Sequence, residues 1–200
     1  MSDTYKTISK QSEGIYKEKG SRFLSFAIPV STVEEVKDIV KNYRKEYYDA
    51  RHVCYAYMLG VKREDFRAND DGEPSGTAGR PILGQLNSRE LTNILVIVVR
   101  YFGGILLGTG GLVVAYKEAT SDALDRAEII EKTVDHTFSI HFEYPFMNDV
   151  MRAIKDYNAQ IINQSYDNNC IMNLSIRKND EELLKGKLLK IDGLQIISQD

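Results

Sequence analysis

The chain has 200 residues, of which 42% are apolar and 28% charged, a balance that excludes intrinsic disorder and supplies core for one large domain or two small ones. Its net charge of -3 excludes a whole-chain attraction for nucleic acid, so binding of that kind needs a local basic patch. Divided near residue 130, the first part holds 18 Lys and Arg against 18 Asp and Glu, and the second 8 against 11, so neither is a basic module.

The N-terminus, Met1 to Lys6, lacks a hydrophobic signal core, and no apolar run reaches the roughly 18 residues of a membrane span. A cytoplasmic protein with no membrane partner is expected. Cys54 and Cys170 lie far apart in apolar runs and read as buried free thiols, since no CxxC or zinc-spaced Cys/His cluster occurs.

Gly14 to Pro29 reads as a hairpin turning at Lys19-Gly20-Ser21. Ser31 has capping-box spacing to Glu34, and Val33, Val36, Ile39, Val40, Tyr43 and Tyr47 then define one face of a helix ending near Tyr48. His52 to Leu59 reads as a strand, with Val53, Tyr55 and Tyr57 on one face and His52, Cys54, Ala56 and Met58 on the other. From Gly60 to Gly79 the chain is polar and glycine-containing, which predicts a long functional or mobile loop. Pro81 suits the first turn of a short helix through about Ser88.

Thr92 to Val98 is a continuous β-branched run, expected of a strand buried on both faces. Leu112 to Ala127 has helical spacing. Between them lie five glycines, Gly103, Gly104, Gly108, Gly110 and Gly111, where backbone can approach a partner and helix N-terminal amides can face an anion. Asp70 to Pro81 reads as the companion loop. A second unit, 131–200 against 1–130 for the first, follows the order β-α-β-β-α-β. Its parts are strand Thr133–Phe142, helix Pro145–Tyr157, strands Gln160–Tyr166 and Cys170–Arg177 around an Asp167-Asn168-Asn169 turn, helix Asp180–Lys190 and strand Leu194–Ser198. The fold class is therefore α+β, in two domains.

The glycine loop is not a Walker A sequence, because Thr109 stands where the phosphate-binding Lys belongs, and Val113 breaks the dinucleotide fingerprint. An anion or backbone-contact site and simple tight turns both remain open. Arg100 can grip a phosphate with two parallel N–H bonds or pair with a loop carboxylate. Tyr101 and Phe102 can stack on a base or fill core. Asp70, Asp71 and Glu73 can hold magnesium or form a solvated turn. Ser75 or Thr77 needs a base to act as nucleophile; His52 is the sole histidine of the first part, and no G-x-S-x-G elbow exists.

Four stretches carry a family resemblance: Lys19-Gly20-Ser21-Arg22-Phe23, Ala50 to Tyr57, Asp70 to Pro81, and Val98 to Leu112. Residues from about Lys19 to Leu124 resemble the Impact family, whose bacterial members are called YigZ. The resemblance implies an N-terminal fold like the fourth domain of elongation factor G, shared with GHMP kinases, and a ferredoxin-like C-terminal domain like the fifth domain of that factor. It implies regulation of translation and contact with RNA, the ribosome or a translation-linked protein, without an established reaction or cofactor. The eukaryotic relatives' extra N-terminal binding domain is not found here. Val114 stands where family members often carry Lys or Arg, which removes a phosphate contact.

The leading expectation is a non-enzymatic RNA or ribosome contact made by Arg22, Arg51, His52, Arg80, Arg100, Tyr101, Gly103, Gly104, Gly108, Thr109, Gly110 and Gly111. Its rivals are an enzyme or sensor for a phosphorylated small molecule or nucleotide, with Asp70 or Asp71 holding magnesium, and a protein-interaction module.

Overall fold

A computed structural model describes residues 3–166 and 169–197. The chain is a mixed α/β protein forming two compact units, Tyr5–Lys132 and a second from Thr133 onward that also takes in Asp3 and Thr4.

The first unit is built on a five-stranded sheet. In chain order its elements are β1 (Thr4–Ile8), β2 (Ser12–Glu18), β3 (Ser21–Pro29), α1 (Val33–Glu46), β4 (His52–Leu59), β5 (Asp65–Asn69), α2 (Gly79–Ser88), β6 (Ile94–Tyr101), α3 (Gly108–Asp125) and β7 (Ile129–Thr133). The sheet order is β2-β3-β6-β4-β5 with antiparallel neighbours, and β1 pairs with β7 in a separate two-stranded sheet. β6 is central because every residue from Ile94 to Val99 is apolar and inaccessible to water. Burying each such side chain contributes about 1.5–3 kcal/mol. Alternation divides the core: Val96 and Val98 meet α2 and α3 on one face, while Leu95, Ile97 and Val99 meet α1 on the other.

The polar stretch after β4 is not all loop. Asp65 to Asn69 pairs along β4 as an edge strand, Tyr57 opposite Arg67. Most of its residues are exposed, so no apolar alternation marks it in the sequence. The first-helix cap also differs from the expected Ser31. Thr32 accepts from the Glu35 backbone N–H at 3.2 Å while the Glu35 carboxylate accepts from the Thr32 N–H at 3.2 Å, one residue along from the predicted pair. The third helix begins four residues before Leu112, because its first turn is made of glycines and Thr109 and has no apolar periodicity.

The second unit consists of β8 (Asp135–Phe142), α4 (Met147–Asp156), β9 (Gln160–Tyr166), β10 (Cys170–Arg177), α5 (Glu181–Leu188) and β11 (Gln195–Ile197). Its sheet order is β11-β8-β10-β9, again with antiparallel neighbours. Phe138, Ile140, Phe142, Met172 and Leu174 meet Val150, Ile154, Leu184 and Leu188 in its core. The expected strand from Thr133 is broken at Val134. The expected helices are shorter at both ends, and their later starts follow from a short 3-10 turn that precedes each. Asp167 and Asn168 of the expected turn, and Ser198 of the last strand, lie outside the described residues.

Candidate functional site

A cleft of about 370 Å³ opens in the first unit where the C-terminal end of β6, the start of β4, the Asp70–Pro81 loop and the start of α3 converge. The antiparallel register sets its polar wall. His52 of β4 and Phe23 of β3 both lie opposite Arg100 of β6, so the three share one sheet face. Arg51, His52, Glu73, Arg100, Gly108 and Thr109 line the cleft, with Phe102, Leu106, Leu107 and Leu112 as its apolar side. The two loops expected to be companions are thus brought together.

Glu73 anchors the wall. Its side chain is 3% exposed; Oε1 accepts from Arg100 Nη1 at 2.6 Å and from the Tyr116 hydroxyl at 2.8 Å. Arg100 therefore takes the carboxylate partner that was one of its two sequence readings. It also lies over the rings of Phe23 and Phe102, while its buried Nε makes no hydrogen bond among the described residues. His52 Nδ1 is 2.8 Å from the Asp71 carbonyl oxygen. A carbonyl only accepts, so Nδ1 carries the proton and Nε2 is the atom turned toward Glu73 Oε2, 3.7 Å away and beyond hydrogen-bond reach. Burial pushes the Tyr116 hydroxyl and the Cys54 thiol far up, so both stay protonated. Cys54 Sγ lies 3.0 Å from the Asp70 carbonyl oxygen and 3.3 Å from the Tyr116 hydroxyl.

The three acids proposed for magnesium diverge. Asp70 caps α2: Oδ1 accepts from the backbone N–H of Ala78 and Gly79, and Oδ2 from that of Gly76, at 2.8–3.1 Å. Burial alone would raise its carboxyl, but these three donors and the nearby Arg80 hold it below the ordinary value. Asp71 accepts from Arg44 and from the Val53 backbone, both at 2.7 Å. Glu73 is committed to Arg100 and Tyr116. Among the described residues, no group of three potential metal ligands converges.

The remaining candidates divide by geometry. Arg22 lies over the Tyr101 ring, whose hydroxyl donates to Asp49 at 3.0 Å. That pair occupies the α1 face, one residue out of phase with Arg100, and does not line the cleft. Arg51 lies over Phe102 and does line it. Arg80 is exposed in the first turn of α2, outside the cleft lining. Gly103 is structural: a Cβ there would overlap the Gly20 carbonyl carbon and the Ser21 nitrogen, and its N–H donates to Ser21 Oγ at 3.1 Å. Gly104 and Gly108 have φ of +89° and +69° with open space around them, as does Gly110. Gly111 faces Leu107 Cβ. Leu107 caps α3 without a side-chain hydrogen bond, leaving its first-turn amides for a ligand or water. Ser75 is exposed, and the Thr77 hydroxyl donates to the Pro74 carbonyl, so neither is set against His52 as a nucleophile.

Tyr116 is not among the site residues expected from the sequence, and Glu73 is expected only as a magnesium ligand, part of a solvated turn, or one of the loop carboxylates open to Arg100. The spacing of Tyr116 on the apolar face of the third helix points it at the sheet, but nothing local shows that its hydroxyl meets a carboxylate 43 residues away.

Comparison with known proteins gives this cleft a lineage. The model of the Impact N-terminal domain matches residues 19–124, a stretch that contains every cleft residue. The chain belongs to the Impact family. The family member YigZ of Escherichia coli (strain K12) is 39% identical over 150 residues, covering 74% of each chain. YvyE of Bacillus subtilis (strain 168) is 34% identical over 156 residues, 78% of this chain and 72% of that one. A crystal structure of a hypothetical protein superposes with a TM-score of 0.76 at 30% identity, covering 100% of this chain and 99% of its own. The cleft thus lies wholly inside the part of the chain that defines Impact membership. Among the described residues, no helix is long and apolar enough to cross a membrane.

Proposed function

We propose that this Impact-family chain is a translation-associated protein that contacts RNA, on the ribosome or free, through the cleft and without catalysis. The observation that carries the reading is Arg51, which makes no ion pair among the described residues, standing beside the uncapped start of α3 in one cleft, where Arg100 is already neutralised by Glu73. Free helix N-terminal amides and guanidinium groups both favour phosphate, and neither reads base sequence. The resemblance to translation regulators supplies the setting. On the same reading, the first unit is akin to the fourth domain of elongation factor G and the second to a ferredoxin-like domain, in keeping with a cytoplasmic partner. The absence of catalysis is supported by the engagement of Glu73 and by the protonated states of Cys54 and Tyr116.

A second reading, contact with a translation-linked protein, is favoured by one observation. Phe102, Ile105, Leu106, Val113 and Val114 are exposed together in sequence around the start of α3, and Leu106 is 82% exposed. Ribosome co-sedimentation across a salt series, with RNA titrations of the wild type and Arg51→Ala, separates the two. The RNA reading expects binding that weakens steeply with salt and with the Arg51 change. Salt-independent co-sedimentation abolished by Leu106→Asp but untouched by Arg51→Ala would replace it with the protein reading.

A further inference from the structure

On the opposite sheet face, α1 carries a separate charged feature. Lys37, Lys41 and Lys45 recur every four residues, so they form one stripe with about 6 Å of helical rise between neighbours. None of the three makes an ion pair among the described residues. The stripe edges a groove of about 360 Å³ that also includes Val40, Arg44 and Tyr55. Tyr55 is half-buried beside the α1 core, and its hydroxyl makes no hydrogen bond among the described residues. Beyond it, β5 is an edge strand whose Arg67 lies directly opposite Tyr57, and so on the α1 face. Among the described residues, Arg44 is the one of these cations in an ion pair, with Asp71 at 2.7 Å.

We propose that this groove is a second nucleic-acid surface, a track for the backbone of single-stranded RNA along α1, with Tyr55 as its aromatic floor. The proposal rests on the reading of RNA as the partner and adds a site to it. α1 as a whole is balanced, with Glu34, Glu35, Asp38 and Glu46 against four bases, but the residues that line the groove include Lys37, Lys41, Arg44 and Lys45 and no carboxylate. Flexible ammonium groups on a helix neutralise phosphates without demanding a base, and a half-buried ring at the groove floor offers a stacking surface. That combination is how single strands are held without sequence preference. An acidic peptide would match the charge but would leave the ring without a stacking role, and a rigid duplex would not reach it.

The test is a salt series of equilibrium titrations with a labelled twelve-nucleotide oligouridylate, a twelve-base-pair RNA duplex and poly-glutamate as competitor. The proteins are the full chain, the triple variant Lys37→Gln/Lys41→Gln/Lys45→Gln, Tyr55→Leu and Arg51→Ala, each checked for an unchanged thermal melt. The triple variant is expected to bind the single strand at least tenfold more weakly, with the slope of log K against log salt shallower by about 2, from about 0.7 per lost phosphate contact. Tyr55→Leu is expected to weaken binding severalfold with no change in slope. If the triple variant keeps its affinity and slope while Arg51→Ala loses both, the groove is overturned and the cleft reading stands. If the triple variant loses binding and Arg51→Ala does not, the groove stands and the cleft reading falls. Equal preference for the duplex, or displacement by poly-glutamate at equal charge, would overturn the single-strand assignment, and failure of the wild type to bind any RNA would overturn both.

Discussion

Replacing Glu73 by Ala removes the carboxylate that sits between Arg100 and Tyr116. The side chains of Arg100 and Glu73 are 7% and 3% exposed, so water does not take the place of the lost partner. Breaking a buried ion pair from one side leaves an uncompensated charge and costs about 3–5 kcal/mol, much of it desolvation of the survivor. The Tyr116 hydroxyl loses its acceptor as well, which places the expectation at the upper end of that range. Because β6 is the central strand and every amide from Ile94 to Val99 lies in the core, its hydrogen exchange reads the opening of this unit directly. The expected result is a loss of β6 protection of about 10²- to 10⁴-fold, the same free energy expressed as an opening constant. Adding Arg100→Met removes the orphaned charge and is expected to restore most of the protection. A loss under tenfold in the single variant, or a double variant as weak as the two single changes summed, would refute the assignment of Glu73 as a buried anchor.

Gly103→Ala is expected to destabilise the fold by several degrees in thermal melts and to shift the Gly20–Ser21 turn, because its Cβ would overlap backbone. Gly110→Ala meets open space in the first turn of α3 and is expected to raise stability by about 0.5–1 kcal/mol; equal effects of the two changes would contradict the packing. The folded-state carboxyl of Asp70 is held below its ordinary 3.8, so its contribution is fully present above that value and is lost as pH falls through the folded value. The melting-temperature gap between wild type and Asp70→Asn, measured from pH 7 to pH 2, is therefore expected to narrow below about pH 3.8; a constant gap would show that Asp70 does not cap α2 as a carboxylate. Cys54 and Cys170 are both buried, and burial raises the Cys54 thiol. Neither is expected to react with a thiol reagent until the chain is unfolded, and prompt release of one equivalent would count against the core placement of that cysteine.

Much of the architecture was legible locally because it depends on short-range pattern. The unbroken run from Ile94 to Val99 demanded a strand covered on both faces, and the alternation in His52 to Leu59 separated the residues that face α1 from those that face α2 and α3. The glycine loop also announced itself, since five glycines between a strand and a helix exceed what one turn uses. Register, by contrast, is a property of pairs of strands. That His52, Arg100 and Phe23 lie opposite one another, while Arg22 and Tyr101 fall on the other side, follows from hydrogen bonding between segments up to 79 residues apart. Only that pairing decided which of the candidate arginines meet in the cleft. The fate of the acidic triplet was likewise tertiary: three neighbouring carboxylates found three different sets of donors, a helix start, an arginine of α1 and a buried Arg–Tyr pair. The sequence by itself determined the strands and helices that carry an apolar face, because periodicity and backbone permissiveness act within a few residues; the exposed edge strand β5 and the glycine-rich first turn of α3 were decided by pairing and packing. Charge neutralisation and strand register act across the whole unit, and they alone turned a glycine-rich loop into one wall of a cleft.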